Sequence, residues 1–97
     1  MGRARPVQLT RQRYALQFAP AAARWLRKAD RETARRIRDV TEELRNDPRP
    51  PGAKMLTGSH GVFRIRTGDY RILYEVDDHQ VVVLVLDVGH RRDIYLH

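Results

Sequence analysis

The feature that most constrains this chain is the run GVFRIRTGDYRILYEV, residues 61 to 76, in which apolar and charged residues alternate on both sides of a TGD sequence. A period of two is strand spacing, and two such runs joined by a short glycine turn make an antiparallel hairpin. Alternation then sorts the side chains between two faces. Phe63 and Ile65 share one face of the first strand, with Arg64 and Arg66 on the other; on the second, Tyr70, Ile72, Tyr74 and Val76 lie opposite Arg71, Leu73 and Glu75. If helices cover the Ile65, Ile72 and Val76 side, three arginines converge on the bare side. Like charges facing each other across strands destabilise a sheet, so this arrangement predicts an anionic ligand. The plain alternative is that the arginines splay into solvent or pair with Glu75 and Asp69.

The rest of the chain supplies the helices. RYALQF, residues 13 to 18, alternates Tyr14, Leu16 and Phe18 and reads as a first strand. Pro20 opens a helix whose apolar positions Ala22, Trp25, Leu26 and Ala29 fall at i, i+3, i+4 and i+7. Asp30 is placed to cap a second helix, with Ala34, Ile37, Val40, Thr41 and Leu44 as its stripe and the NDP at residues 46 to 48 as its end. The outer face of that helix mixes arginines with acids and reads as solvated. PRPPG, residues 48 to 52, is a stiff connector. Strands are expected at about 62 to 66, 70 to 76 and 80 to 88, with the doubly apolar VVVLVL as the central strand, and a short final strand at DIYL. The predicted fold class is therefore α+β: an N-terminal strand, two packed helices, then an antiparallel meander, with both helices on one face of a single sheet.

Ninety-seven residues suit one domain, at residues 13 to 97, preceded by a basic flexible tail at residues 1 to 12. The absence of cysteine excludes disulfides, zinc thiolates and thiol nucleophiles. No apolar run reaches membrane length and the first residues lack a secretory h-region, which predicts a cytoplasmic protein without membrane association. The balance of 19 Lys+Arg against 12 Asp+Glu, formally +7, points to a polyanionic partner. Only Lys28 and Lys54 are lysines, and the arginine fork suits phosphate better than a point charge does.

DVGHRRDIY, residues 87 to 95, adds a glycine turn, His90, two arginines and a tyrosine after the last long strand. With KMLTGSHGVFRIRTGDYRILYEVDD and VGHRRDIY in this order and the helix pair upstream, the chain resembles the RelE/ParE superfamily of toxins from bacterial type II toxin-antitoxin systems, over about residues 13 to 96. The RelE branch is the closer, and that resemblance implies a RelE-like fold and a ribosome-dependent endoribonuclease that cuts mRNA in the A site and inhibits translation. The ribose 2′-oxygen attacks the adjacent phosphate, with no metal or other cofactor. It implies Arg64, Arg66, Arg71, Arg91 and Tyr95 as catalytic residues, and RNA binding by Arg64, Arg66, Arg71, Arg91 and Arg92. Tyr95 would stack on a base or orient the 2′-hydroxyl, and His90, beside the cationic face, is the candidate for proton transfer. Implied partners are the ribosome, mRNA and a cognate acidic antitoxin in a toxin-antitoxin hetero-oligomer. The chain departs from the RelE pattern at Arg64 and Arg66, where lysines are common, and arginine is a poor general base. That departure keeps open the ParE-like alternative, a toxin that inhibits DNA gyrase and cleaves nothing.

Overall fold

The computed structural model describes residues 13–90. In chain order these form β1 (Ala15–Phe18), α1 (Pro20–Lys28), α2 (Arg31–Glu43), β2 (Lys54–Met55), β3 (Val62–Thr67), β4 (Tyr70–Asp77) and β5 (Val82–His90). The strands make one sheet in the order β1-β5-β4-β3-β2. β1 runs parallel to β5, and every other neighbouring pair is antiparallel. Among the described residues no helix is long and apolar enough to cross a membrane. The expected basic tail at residues 1 to 12 and the expected strand at DIYL lie outside the described residues.

Local chemistry sets the element ends. α1 begins on Pro20, whose missing N–H falls where a helix has no use for one. Asp30 caps α2 by accepting from the Thr33 amide at 3.1 Å, and its hydrogen bonding to Thr33 holds its carboxyl below the usual range. Between β3 and β4, Gly68 takes φ +60 as the first of two turn residues, a conformation that favours glycine.

Both helices pack on one sheet face. Ala22 and Leu26 of α1, Ala34 and Ile37 of α2, Ile72 of β4, and Val85 and Val88 of β5 form one buried cluster, with Trp25, Ile65 and Tyr70 against it. Leu44, Phe63, Tyr74 and Val83 form a second. Fully burying each large apolar side chain is worth about 1.5 to 3 kcal/mol. Tyr74 is completely buried, donates its hydroxyl to the Pro48 carbonyl at 2.7 Å, and is pushed by burial to a pKa of about 12. The connector is thereby fastened to the core. Asp78, in the β4–β5 turn, accepts from the Tyr14 hydroxyl at 2.7 Å and from Arg49 at 2.9 Å, joining the start of the first strand, the connector and the turn.

Three details depart from the sequence expectation. The middle strand of the five is β4, because β1 adds to the far side of β5. The apolar run of β5 reflects Val83 and Val85 facing the helices while Val82 and Leu84 stay partly exposed on the other side. β2 is a strand that periodicity does not reveal, since two exposed residues have no pattern. The third departure is a bulge. Leu73 pairs with Asp87 but Tyr74 pairs with Val85, so Leu86 is an extra residue in β5. The extra residue reverses the alternation, which is how Val83, Val85 and Val88 all reach the helix side.

A candidate phosphate-binding face

Residues directly opposite in a ladder share a face, so the register alone assembles the site. Arg66 pairs with Arg71, Arg64 pairs with Leu73, and on the outer side of β3 Lys54 pairs with Arg64. Ile72 and Tyr74 turn into the core, which leaves Arg64, Arg66, Arg71 and Lys54 together on the face that carries no helix. Directly opposed side chains on this face have Cβ atoms about 4.5 to 5.5 Å apart, and diagonal ones about 7 to 8 Å. Four cations therefore fall within reach of one anionic group.

No described carboxylate forms a salt bridge with them; Asp87, which shares this face opposite Leu73 and lies diagonal to Arg71, accepts from the Val88 amide at 2.8 Å. Among the described residues the salt bridges belong to Arg13, Arg45 and Arg49, and neither Glu75 nor Asp69 pairs with an arginine of this face. Glu75 lies opposite Val62 and Leu84, four residues along β4 from Arg71, about 13 Å at strand spacing. Arg66 is exposed, whereas Arg64 and Arg71 are half-buried. The Nε of Arg71 is buried with no hydrogen-bond partner. A buried donor left unmade costs about 1 to 3 kcal/mol, and more on a charged group. Arg71 thus carries a cost that an accepting oxygen would remove. Its neighbour on the β5 side is Gly89, which brings no side chain over the guanidinium.

The bulge also decides where His90 goes. Counted from Val83 and Val85 by strict alternation, His90 belongs on the arginine side; with Leu86 inserted, Gly89 takes that side and His90 joins Tyr70. The His90 and Tyr70 rings meet edge to face at 5.8 Å, and Tyr70 meets Trp25 of α1 in the same manner at 5.6 Å. The expected position of His90 beside the cationic face is therefore corrected: it stands across the sheet, in an aromatic ladder under the helices. Arg91, Arg92 and Tyr95 lie outside the described residues.

Lys54 is the member of this face that sequence reasoning missed. Its one signal was the KM pair after the proline connector, which becomes a strand only through tertiary pairing with β3. His60 and His79 sit apart from the arginines of this face, lining a groove of about 500 Å³ with Gln17, Glu75, Asp77 and Leu84. Among the described residues no group of three or more His, Cys, Asp or Glu side chains is arranged to hold a metal ion.

A convergent set of guanidinium donors can bind a phosphodiester through paired N–H donors and, where charge grows on its oxygens, stabilise a transition state. Residues 10–95 match the model of the family described as ParE toxin of type II toxin-antitoxin system, parDE. Toxin RelG of Mycobacterium tuberculosis is 35% identical over 83 residues, covering 84% of this chain and 95% of RelG. The toxin-antitoxin complex RelBE2 of the same organism contains a chain 31% identical, with a TM-score of 0.73, over 81% of this chain and 99% of that one. The intact Escherichia coli RelBE complex gives 30% identity and a TM-score of 0.71, over 79% of this chain and 95% of that one. This chain belongs to the RelE/ParE superfamily and is a toxin of a type II toxin-antitoxin system.

Proposed function

We propose that the toxin is a ribosome-dependent endoribonuclease that cuts mRNA in the A site without a metal ion. The observation that carries the reading is the cluster of Arg64, Arg66 and Arg71, which no described carboxylate bridges, with the orphaned Nε of Arg71 beneath it. The resemblance to RelG and RelE chains supports the same branch. In the reaction, the 2′-oxygen forms a bond to phosphorus as the bond to the 5′-oxygen breaks, leaving a 2′,3′-cyclic phosphate and a 5′-hydroxyl. Negative charge builds on the non-bridging oxygens. Each well-aimed donor is worth about 2.7 to 4 kcal/mol there. Arg91 and Arg92 join as RNA-binding residues, and Tyr95 stacks on a base or orients the 2′-hydroxyl. Arginines do not accept the 2′-hydroxyl proton, because guanidinium stays protonated in proteins. On free RNA, where nothing else orders the strand, the chain is a poor nuclease.

The partners in this reading are the ribosome and mRNA in the cytoplasm, and a cognate acidic antitoxin. Solved structures similar to this chain include toxin-antitoxin complexes, and an acidic segment laid over the arginine face would neutralise it in a hetero-oligomer. The match to the family described as ParE favours a second reading, inhibition of DNA gyrase without cleavage. Primer extension on mRNA from cells expressing the chain separates the two. Discrete cuts inside translated codons support the nuclease, whereas intact mRNA with relaxed plasmid DNA supports the gyrase inhibitor.

A further inference from the structure

We infer that Lys54 is the proton acceptor of the reaction, standing in for the lysines that this chain lacks on β3; the inference rests on the nuclease reading. Cleavage needs a group that can take the 2′-hydroxyl proton, and on the bare face the candidates are few. Arg64, Arg66 and Arg71 have no accessible neutral form. His90 is turned to the opposite side of the sheet by the bulge at Leu86. His60 and His79 line the groove at the far end, with Glu75 and Asp77. Among the described residues Lys54 is the basic side chain on the arginine face that can exist as a free amine.

Its position fits the task. Lys54 pairs directly with Arg64 and lies diagonal to Arg66, so its four-carbon stem reaches over the ground where those two arginines hold a phosphate. The charged groups facing it are Arg64 and Arg66 of β3, with Arg71 of β4 beyond them, and no described carboxylate forms a salt bridge with it. Lys54 is exposed on a strand of two residues, and the fold's two apolar clusters do not include it. Its side chain is therefore dispensable for folding. In the step itself, the neutral Nζ takes the proton from the 2′-hydroxyl and becomes an ammonium. The 2′-oxygen bonds to phosphorus, the bond to the 5′-oxygen breaks, and that oxygen takes a proton from water.

The test is single-turnover cleavage of mRNA on programmed ribosomes by the full chain, across pH, for wild type, Lys54→Ala and Lys54→Arg. General base loss should slow Lys54→Ala by about 10² to 10⁴-fold. Melting temperature should change little, and ribosomes held at saturating concentration keep any loss of affinity out of the single-turnover rate. Lys54→Arg should keep the charge without restoring the rate. The wild-type rate should rise with pH along a limb that both variants lose, and added methylamine should partly restore Lys54→Ala. Wild-type rates in Lys54→Arg would overturn the proposal, because charge alone would then suffice, and so would an unchanged rate in Lys54→Ala. A wild-type chain that binds ribosomes but cuts nothing at any pH would instead overturn the nuclease reading, and this inference with it.

Discussion

Arg66 and Arg71 stand directly opposite one another across the β3–β4 ladder, and no described acid pairs with either. A sheet gains nothing from that contact. Replacing Arg71 by alanine should therefore leave folding stability unchanged or raise it by up to about 1 kcal/mol, through relief of cross-strand repulsion. The same change should lower cleavage by at least about 10² to 10³-fold, as loss of one transition-state donor does. Thermal denaturation and a growth-inhibition assay read the two effects separately, and a destabilised but fully toxic Arg71→Ala would show that the arginine serves the fold.

Core substitutions should behave in the opposite way. Ile72 is completely buried between the helices and the sheet, so Ile72→Ala should cost about 2 to 5 kcal/mol. Toxicity should disappear together with the cooperative melting transition, and return when a stabilising condition restores the fold.

Tyr74 and Asp78 make stability depend on pH at its two extremes. Burial raises the Tyr74 hydroxyl to about 12, so the folded state favours its protonated form. That contribution is fully present below the unfolded value of about 10 and is lost as pH rises through about 12. Asp78 is shifted the other way, its carboxyl held low by hydrogen bonds from Arg49 and Tyr14. Its contribution is present above the unfolded value of about 3.9 and disappears as pH falls through the lower folded value. Denaturant titrations should show Asp78→Asn flattening the acid limb and Tyr74→Phe flattening the alkaline one. Tyr74→Phe should also cost about 1 to 3 kcal/mol at neutral pH, because the Pro48 carbonyl loses its partner.

Val81, a β-branched residue, sits at φ +58 just before β5, while its carbonyl accepts from the Ala15 amide at 2.8 Å. Val81→Gly keeps that hydrogen bond and removes strain of about 1 to 3 kcal/mol. After the entropy cost of a more flexible unfolded chain, a net gain of about 1 kcal/mol is expected in denaturant unfolding.

The parts legible in the sequence were those set by long, regular patterns. Helix stripes at Ala22 to Leu26 and Ala34 to Leu44, the Asp30 cap and the hairpin about Gly68 all follow from spacing, and so does the helix-free face bearing Arg64, Arg66 and Arg71. What spacing could not supply is register between distant segments. One inserted residue at Leu86 exchanges the sides of Gly89 and His90, and nothing in VVVLVLDVGH distinguishes that bulge from an unbroken strand. Lys54 was hidden for a related reason: its strand exists only because β3 offers an edge to pair with. The parallel placement of β1 beside β5 is likewise a long-range pairing, which hides the fact that β4 is the middle strand.

The central claim is that the arginine face holds the phosphate at which mRNA is cut, and mapping of cleaved ends on programmed ribosomes tests it most directly. Purified wild-type chain should produce codon-phased cuts ending in 2′,3′-cyclic phosphate, and Arg71→Ala, folded and ribosome-bound, should produce none above about one hundredth of that level. Equal cutting by both chains, or no cutting by the wild type on ribosomes that it occupies, would contradict the account.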